Sequence, residues 1–144
     1  DKDDVMWIFS HTGINNVNID IALEAKKRGM KVIAYGAAAQ AKGKKTRHSS
    51  GKTIFEIADL VVDSCAPAGD ATVHLKNNPD PVGPVSTIAF ITCVWLTVCT
   101  VAEILDNRGV KLYNHPSHNV PGDTTAPERL AACLAEYKRR VAGV

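Results

Sequence analysis

An unbroken apolar run, Val5-Met6-Trp7-Ile8-Phe9, carries no polar alternation. Such a run suits a parallel β-strand covered on both faces. After the polar turn Ser10-His11-Thr12-Gly13, the apolar positions Ile14, Val17, Ile21, Ala22 and Ala25 recur three or four apart. Lys26, Lys27 and Arg28 then collect ahead of Gly29. This spacing predicts an amphipathic helix with cations at its negative end and a glycine stop. Lys31 to Tyr35 predicts a second strand. Strand, helix and strand within about thirty residues predict a βαβ unit and a parallel sheet.

Periodicity lapses from Gly36 to Gly51, where a polar, basic loop carries Lys42, Lys44, Lys45, Arg47 and His48. Loops of that length inside a compact domain are usually functional or disordered. A short helix is expected over 53–58 and a third strand over Leu60 to Asp63. A Pro- and Gly-rich turn follows from Cys65 to Asp70, then a short edge strand over 72–75 and a Pro-rich linker over 77–83. The segment Val85 to Leu105 predicts the longest helix, and no charge occurs from Pro81 through Ala102. A transmembrane span is one reading. Against it stand Ser86, Thr87, Thr92, Thr97 and Thr100, and the flanking acids Asp80 and Glu103. A helix apolar all round also suits a domain centre or a dimer interface. The last helix is expected over 127–141, with Leu130, Leu134 and Tyr137 on one face.

The composition fits one soluble domain: 144 residues, 45% hydrophobic and 22% charged, with 17 basic and 15 acidic residues giving a net charge of +2. No basic stripe with interleaved aromatics argues for nucleic acid. The four cysteines are widely spaced without a CxxC pair, and they read as buried thiols of a cytoplasmic protein. Asp1-Lys2-Asp3-Asp4 leads straight into the apolar run, which is not the pattern of a signal peptide.

The chemistry concentrates where strands end. Ligands of open parallel sheets bind beyond the strands' carboxyl ends. Ser10, Thr12 and Gly13 sit there, followed by a helix whose free N–H groups around Asn15 and positive dipole end meet the same point. Two hydroxyls, backbone donors and a glycine that lets the backbone come close make an anion cradle. Helix capping by Thr12 or Asn15 is the plainer reading of the same residues. Arg47-His48-Ser49-Ser50-Gly51-Lys52 also follows a strand; His48 titrates near neutrality, and Ser50 could simply cap a helix. Asp63 and Asp70 flank the third strand's exit, as sugar-hydroxyl partners or as turn residues. Ser86 and Thr87 open the long helix as caps or ligand donors. His115 and His118, with Asp123, pose a metal question, but no third strong ligand is placed and no metal is expected. No GxSxG elbow marks a nucleophilic serine.

Taken together, Trp7-Ile8-Phe9-Ser10-His11-Thr12-Gly13, Ile19-Asp20, Ala25-Lys26 and Gly29-Met30-Lys31-Val32-Ile33-Ala34 resemble the sugar isomerase (SIS) domain. Arg47 to Lys52, Ala58-Asp59, Pro67 to Ala71 and Gly83 to Thr87 resemble one bacterial-type subgroup of it, so the resemblance covers nearly the whole chain. It implies a three-layer α/β sandwich whose small parallel sheet of three to four strands is flanked by helices. It also implies a sugar-phosphate ligand and no cofactor. The family's Ser-x-Ser-Gly phosphate turn maps onto Ser10, Thr12 and Gly13, with Asn15, Ser49, Ser50, Ser86 and Thr87 as further candidate contacts. His48 is the candidate base if the protein isomerises its ligand, and a non-catalytic phosphosugar sensor is the alternative. The residues from 1 to 144 read as one such domain, lacking the helix, strand and loop with which family domains begin. A homo-oligomer through Val85 to Leu105 is expected, with neither membrane nor nucleic acid as partner.

Overall fold

The βαβ unit read from the apolar runs is present. In the computed structural model, which describes residues 2–117 and 119–142, the elements run β1 (Val5–Phe9), α1 (Asn16–Lys27), β2 (Lys31–Gly36), α2 (Ala38–Ala41), α3 (Ile54–Ile57), β3 (Leu60–Asp63), β4 (Ala71–Leu75), β5 (Asn78–Pro84), α4 (Ser86–Asn107) and α5 (Ala126–Val141). β1, β2 and β3 form a parallel sheet in that order, with Trp7 opposite Ile33 and Tyr35 opposite Val62. The chain divides into two compact units, Asp1–Thr97 and Val98–Val144.

Alternation along the strands sorts the first unit into layers. On one face Ile8, Val32 and Ala34 meet Ile19, Ala22 and Ala25 of α1, and Ile54 closes the cluster. The alanines bring helix and sheet close, which suits a small core packed to crystal-like density. On the other face Phe9 stacks on Tyr35 at 4.8 Å between ring centres, and Trp7 lies 5.4 Å from the same ring. The first half of α4 covers this face: Phe90 packs on Phe9 at 5.8 Å, and the Tyr35 hydroxyl donates to Thr97 Oγ1 at 3.2 Å. The sheet is thus flanked by helices on both sides, an α/β fold of the expected kind.

Asp59 fastens the far end of this unit. Its carboxylate accepts from Lys26 Nζ at 2.6 Å and from the Val32 N–H at 2.9 Å. The Lys26 hydrogen bond first, then that of Val32, hold its carboxyl at about 2 against an ordinary 3.8. A group whose folded pKa is depressed contributes stability that is present above the unfolded value and is lost as pH falls through the folded one. Asp59→Asn is therefore expected to flatten the acid limb of stability between pH 3.8 and about 2. Circular dichroism against pH reads this, and an acid limb unchanged by the substitution would remove Asp59 from the account.

Three expectations need correction. The Pro-rich stretch over 77–83 is not a linker but strand β5, antiparallel to β4 with Val73 opposite Val82. In a two-stranded ribbon both strands are edges, so a proline's missing N–H can face outward without breaking the pairing, and the irregular register between Val73 and Leu75 absorbs the rest. For the same reason the expected edge strand pairs here, outside the parallel sheet. Second, α4 is no domain centre. Ala89, Phe90, Cys93, Val94 and Thr97 form a half-buried stripe, while Ile88 is 70% and Trp95 62% exposed. Third, the cysteines are not buried: Cys65 and Cys99 are exposed, Cys93 and Cys133 half-buried. Cys65 lies in the turn after β3, and the apolar neighbours of the other three belong to helices of which only one stripe is covered.

In the second unit, α5 begins behind a pair of ionic contacts between Asp123 and Arg129 and carries Glu136 bonded to Arg139 and Arg140. Its expected apolar face is open, with Leu134 46% and Tyr137 63% exposed.

Candidate functional site

The turn after β1 is built by short-range bonds. The Ser10 N–H donates to Tyr35 O at 3.0 Å, continuing the sheet by one residue, and the Ser10 side chain folds inward to 5% exposure. Its Oγ accepts the Gly13 N–H at 3.1 Å, and Gly13 takes φ +68°. That left-handed conformation favours glycine, and space demands it as well: a Cβ at Gly13 or Gly36 would collide with the Phe55 ring. The Gly13 carbonyl accepts the Ile54 N–H at 2.9 Å, so α3 is hung from the turn. Asn18 Nδ2 donates to Phe9 O at 3.4 Å and ties the first turn of α1 to the strand end. Asn15 is the N-cap residue but its side chain caps nothing, which leaves the helix's first N–H groups without an intrahelical partner. The Thr12 hydroxyl makes no hydrogen bond among the described residues. Ser10 thus shapes the turn, while the Thr12 hydroxyl and the first amides of α1 are left without hydrogen-bond partners among the described residues.

The second cluster docks on α1. Thr46 Oγ1 donates to Ile14 O at 3.2 Å. The His48 ring lies between Asp20 Oδ1, 2.9 Å from Nε2, and Ser50 Oγ, 2.8 Å from Nδ1, with its side chain only 11% exposed. The Ser50 N–H also points to Nδ1 at 3.1 Å, which fits a neutral ring protonated on Nε2 and donating to Asp20. This Asp–His–Ser order invites comparison with a hydrolytic triad. The neighbouring N–H groups, however, are spent: Gly51 donates to His48 O and Lys52 to Ser50 Oγ. With the N–H groups of Ser50, Gly51 and Lys52 all engaged, the trio reads as a clip that pins the basic loop to α1. Ser49 stands exposed beside it, and no hydrogen bond links His48 to Ser10, Thr12 or Gly13 among the described residues. Helix α3 is capped by Thr53, not Ser50: the Glu56 carboxylate accepts the Thr53 N–H at 2.7 Å and its hydroxyl at 2.9 Å. These bonds, the backbone one first, hold the Glu56 carboxyl below its usual range. The Thr-x-x-Glu capping box was legible in the chain.

The remaining candidates sort quickly. Asp63 caps α2 through the Ala39 N–H at 2.9 Å and takes the Cys65 N–H at 2.9 Å, a structural use of both oxygens. Asp70, at φ +69°, caps α4: it accepts from the N–H of Val85 at 3.0 Å, the N–H of Ser86 at 2.7 Å and the Ser86 hydroxyl at 2.8 Å. Burial raises the Asp70 carboxyl, but the Ser86 bonds, the nearby His11 and the Val85 N–H together bring it below its ordinary value. Ser86 is thus engaged by Asp70, and Thr87 stands exposed one residue on. His11, absent from the candidate residues, holds both ring nitrogens buried without a hydrogen-bond partner among the described residues. Orphaned buried polar groups are rare in native proteins. Nothing in the spacing announces this, nor the approach of Asp70 to His11 from across the chain. Of the metal question, His118 lies outside the described residues, and among those described no three His, Cys, Asp or Glu side chains cluster to hold an ion.

A parallel α/β sheet with a hydroxyl-bearing turn at the carboxyl end of its first strand has its candidate site where open α/β sheets bind their ligands. Residues 1–37, the βαβ unit with its turn, match the family model of the SIS domain. The chain is also 39% identical over 138 residues to a UPF0309 protein of Shouchella clausii, covering 96% of itself and 55% of that relative. UPF0309 proteins of Geobacillus thermodenitrificans (32% identical, 97% of this chain and 55% of theirs) and Streptomyces coelicolor (31%, 96% and 54%) match similarly. The chain spans about half the length of the curated relatives it matches. Over nearly its whole length the chain is thus similar to UPF0309 proteins, and its first 37 residues are similar to the SIS domain.

Proposed function

We propose that this chain binds a sugar phosphate at the turn Ser10-His11-Thr12-Gly13. The observation that carries the reading is the combination of an unbonded Thr12 hydroxyl with an uncapped α1 N-terminus, beyond the carboxyl end of β1, in the segment that matches the SIS domain. The dipole end and the free N–H groups favour a phosphate there. For an isomerase, His48 is the candidate base; Asp20 on Nε2 orients the ring as a carboxylate orients a catalytic imidazole. For a sensor, the same contacts serve only to hold the loop. The exposed apolar side of α4, from Ile88 and Ile91 to Trp95 and Leu96, supports assembly of copies through that helix. At 22 residues α4 is also long and apolar enough to cross a membrane, and a detergent-free dimer in sedimentation would decide for assembly.

A thermal-shift screen against sugar phosphates tests the site. A ligand held about 100-fold above its Kd stabilises by about 2.7 kcal/mol. Ser10→Ala/Thr12→Ala is expected to abolish the best shift, and a shift that survives the double substitution places the ligand elsewhere. Tight binding without turnover of any bound sugar phosphate would exclude the isomerase branch.

A further inference from the structure

The loop from Lys42 to Thr53 does more than clip to α1. It walls an open cleft of about 590 Å³ beyond the carboxyl end of β2, lined by Lys42, Lys44, Lys45, Thr46 and Thr53. None of these lysines has an acidic partner among the described residues. Elsewhere in the same unit, Lys26 and Lys31 share Asp59, and Lys27 and Arg28 share Glu24. The cleft's one carboxylate, Glu56, is already committed to the Thr53 N–H and hydroxyl. Three unpaired cations of one sign along a concave wall focus a positive potential and draw anions to it.

This cleft adjoins the phosphate turn. Phe55 is the shared wall: its ring lines the cleft and also fills the space above Gly13 and Gly36. Thr46, at the cleft's edge, donates to Ile14 O immediately after the turn. Because β1 and β2 are neighbouring parallel strands, their carboxyl ends present the turn and the lysines side by side. A monophosphate held at Thr12 and the first turn of α1 would leave those lysines unanswered.

We infer that the ligand is a sugar phosphate carrying a second anionic group, with its phosphate on the turn and its second anion among Lys42, Lys44 and Lys45. The inference rests on the turn holding the phosphate. The second anion is a phosphate or a carboxylate, since either accepts from lysine ammonium groups.

Calorimetric titration of the full chain with a hexose monophosphate, a hexose bisphosphate and a hexuronic acid 1-phosphate tests this and tells the two anions apart. At low salt at least one probe with a second anionic group is expected to bind about tenfold or more tighter than the monophosphate, the ratio one charge-assisted hydrogen bond supplies. The advantage is expected to shrink as ionic strength rises. The triple substitution Lys42→Gln, Lys44→Gln, Lys45→Gln falls on exposed side chains, so the ligand-free melting temperature is expected to stay as it was. It should erase the advantage while leaving monophosphate affinity in place. Equal affinities for all three probes, or an advantage that survives the triple substitution, overturn the second anion. The turn reading then still stands if Ser10→Ala/Thr12→Ala removes monophosphate binding. No binding of any probe overturns both.

Discussion

Gly36→Ala is expected to destabilise the protein by about 3 kcal/mol or more, at the upper end of what one buried methyl costs in a filled site. The cause is not conformational, since Gly36 sits in ordinary strand backbone at the end of β2. A Cβ there would collide with the Ser10 carbonyl oxygen and with the Phe55 ring, 2.8 Å from its Cε1. The ring could rotate or shift, but the Ser10 carbonyl belongs to backbone already fixed by the Ser10 N–H to Tyr35 O bond at 3.0 Å. Relief must come from moving the turn itself, so stability and phosphosugar binding should fall together. Adding Phe55→Leu to Gly36→Ala is expected to recover only part of the loss, because the backbone collision remains. Urea unfolding of the two variants checks this. Full recovery in the double variant would mean that the ring alone sets the constraint.

Asp70→Ala should cost about 2–3 kcal/mol, since one carboxylate serves the N–H groups of Val85 and Ser86 and the Ser86 hydroxyl. Ser86 is 9% exposed, so water cannot readily replace the lost acceptor. Backbone strain separates this effect from capping: at φ +69° an alanine is unfavourable whereas a glycine is not. Asp70→Gly is therefore expected to lose the bonds but not the backbone fit, and to fall between Asp70→Ala and the wild type. The sign with pH follows from the lowered carboxyl. The folded value lies below the ordinary 3.8, so the contribution is present above that pH and fades as pH falls through the depressed value. Thermal unfolding at neutral pH and at pH 3 would show the Asp70→Ala deficit narrowing under acid. A deficit that stays constant with pH would assign the loss to backbone strain alone.

Where the pattern was regular, it was legible. Val5 to Phe9, the helix ending at Lys27 and the strand from Lys31 gave the parallel sheet because a buried strand and an amphipathic helix each impose a period on the chain. The anion cradle followed because a strand end, two hydroxyls and a helix start are adjacent in sequence. The Pro-rich stretch over 77–83 misled because proline usually breaks strands, and its tolerance on an edge depends on having a partner on one side only. The uncharged helix misled in the same way: composition shows that Ile88, Trp95 and Leu96 are apolar, and only placement shows that they are not covered.

The site divides along the same line. Ser10, Thr12, Gly13 and the cap of α1 lie within six residues, so local chemistry alone pointed to a candidate anion-binding turn at the edge of a parallel sheet. Gly36 against Ser10, Phe55 over Gly13, Asp20 on His48, Asp70 beside His11 and the lysine cleft joined to the turn are all long-range. They depend on which strands pair and how the loops return, a choice made by packing the whole core at once. The tertiary structure therefore decided what surrounds the turn, because distance in space is set by the fold and not by spacing along the chain.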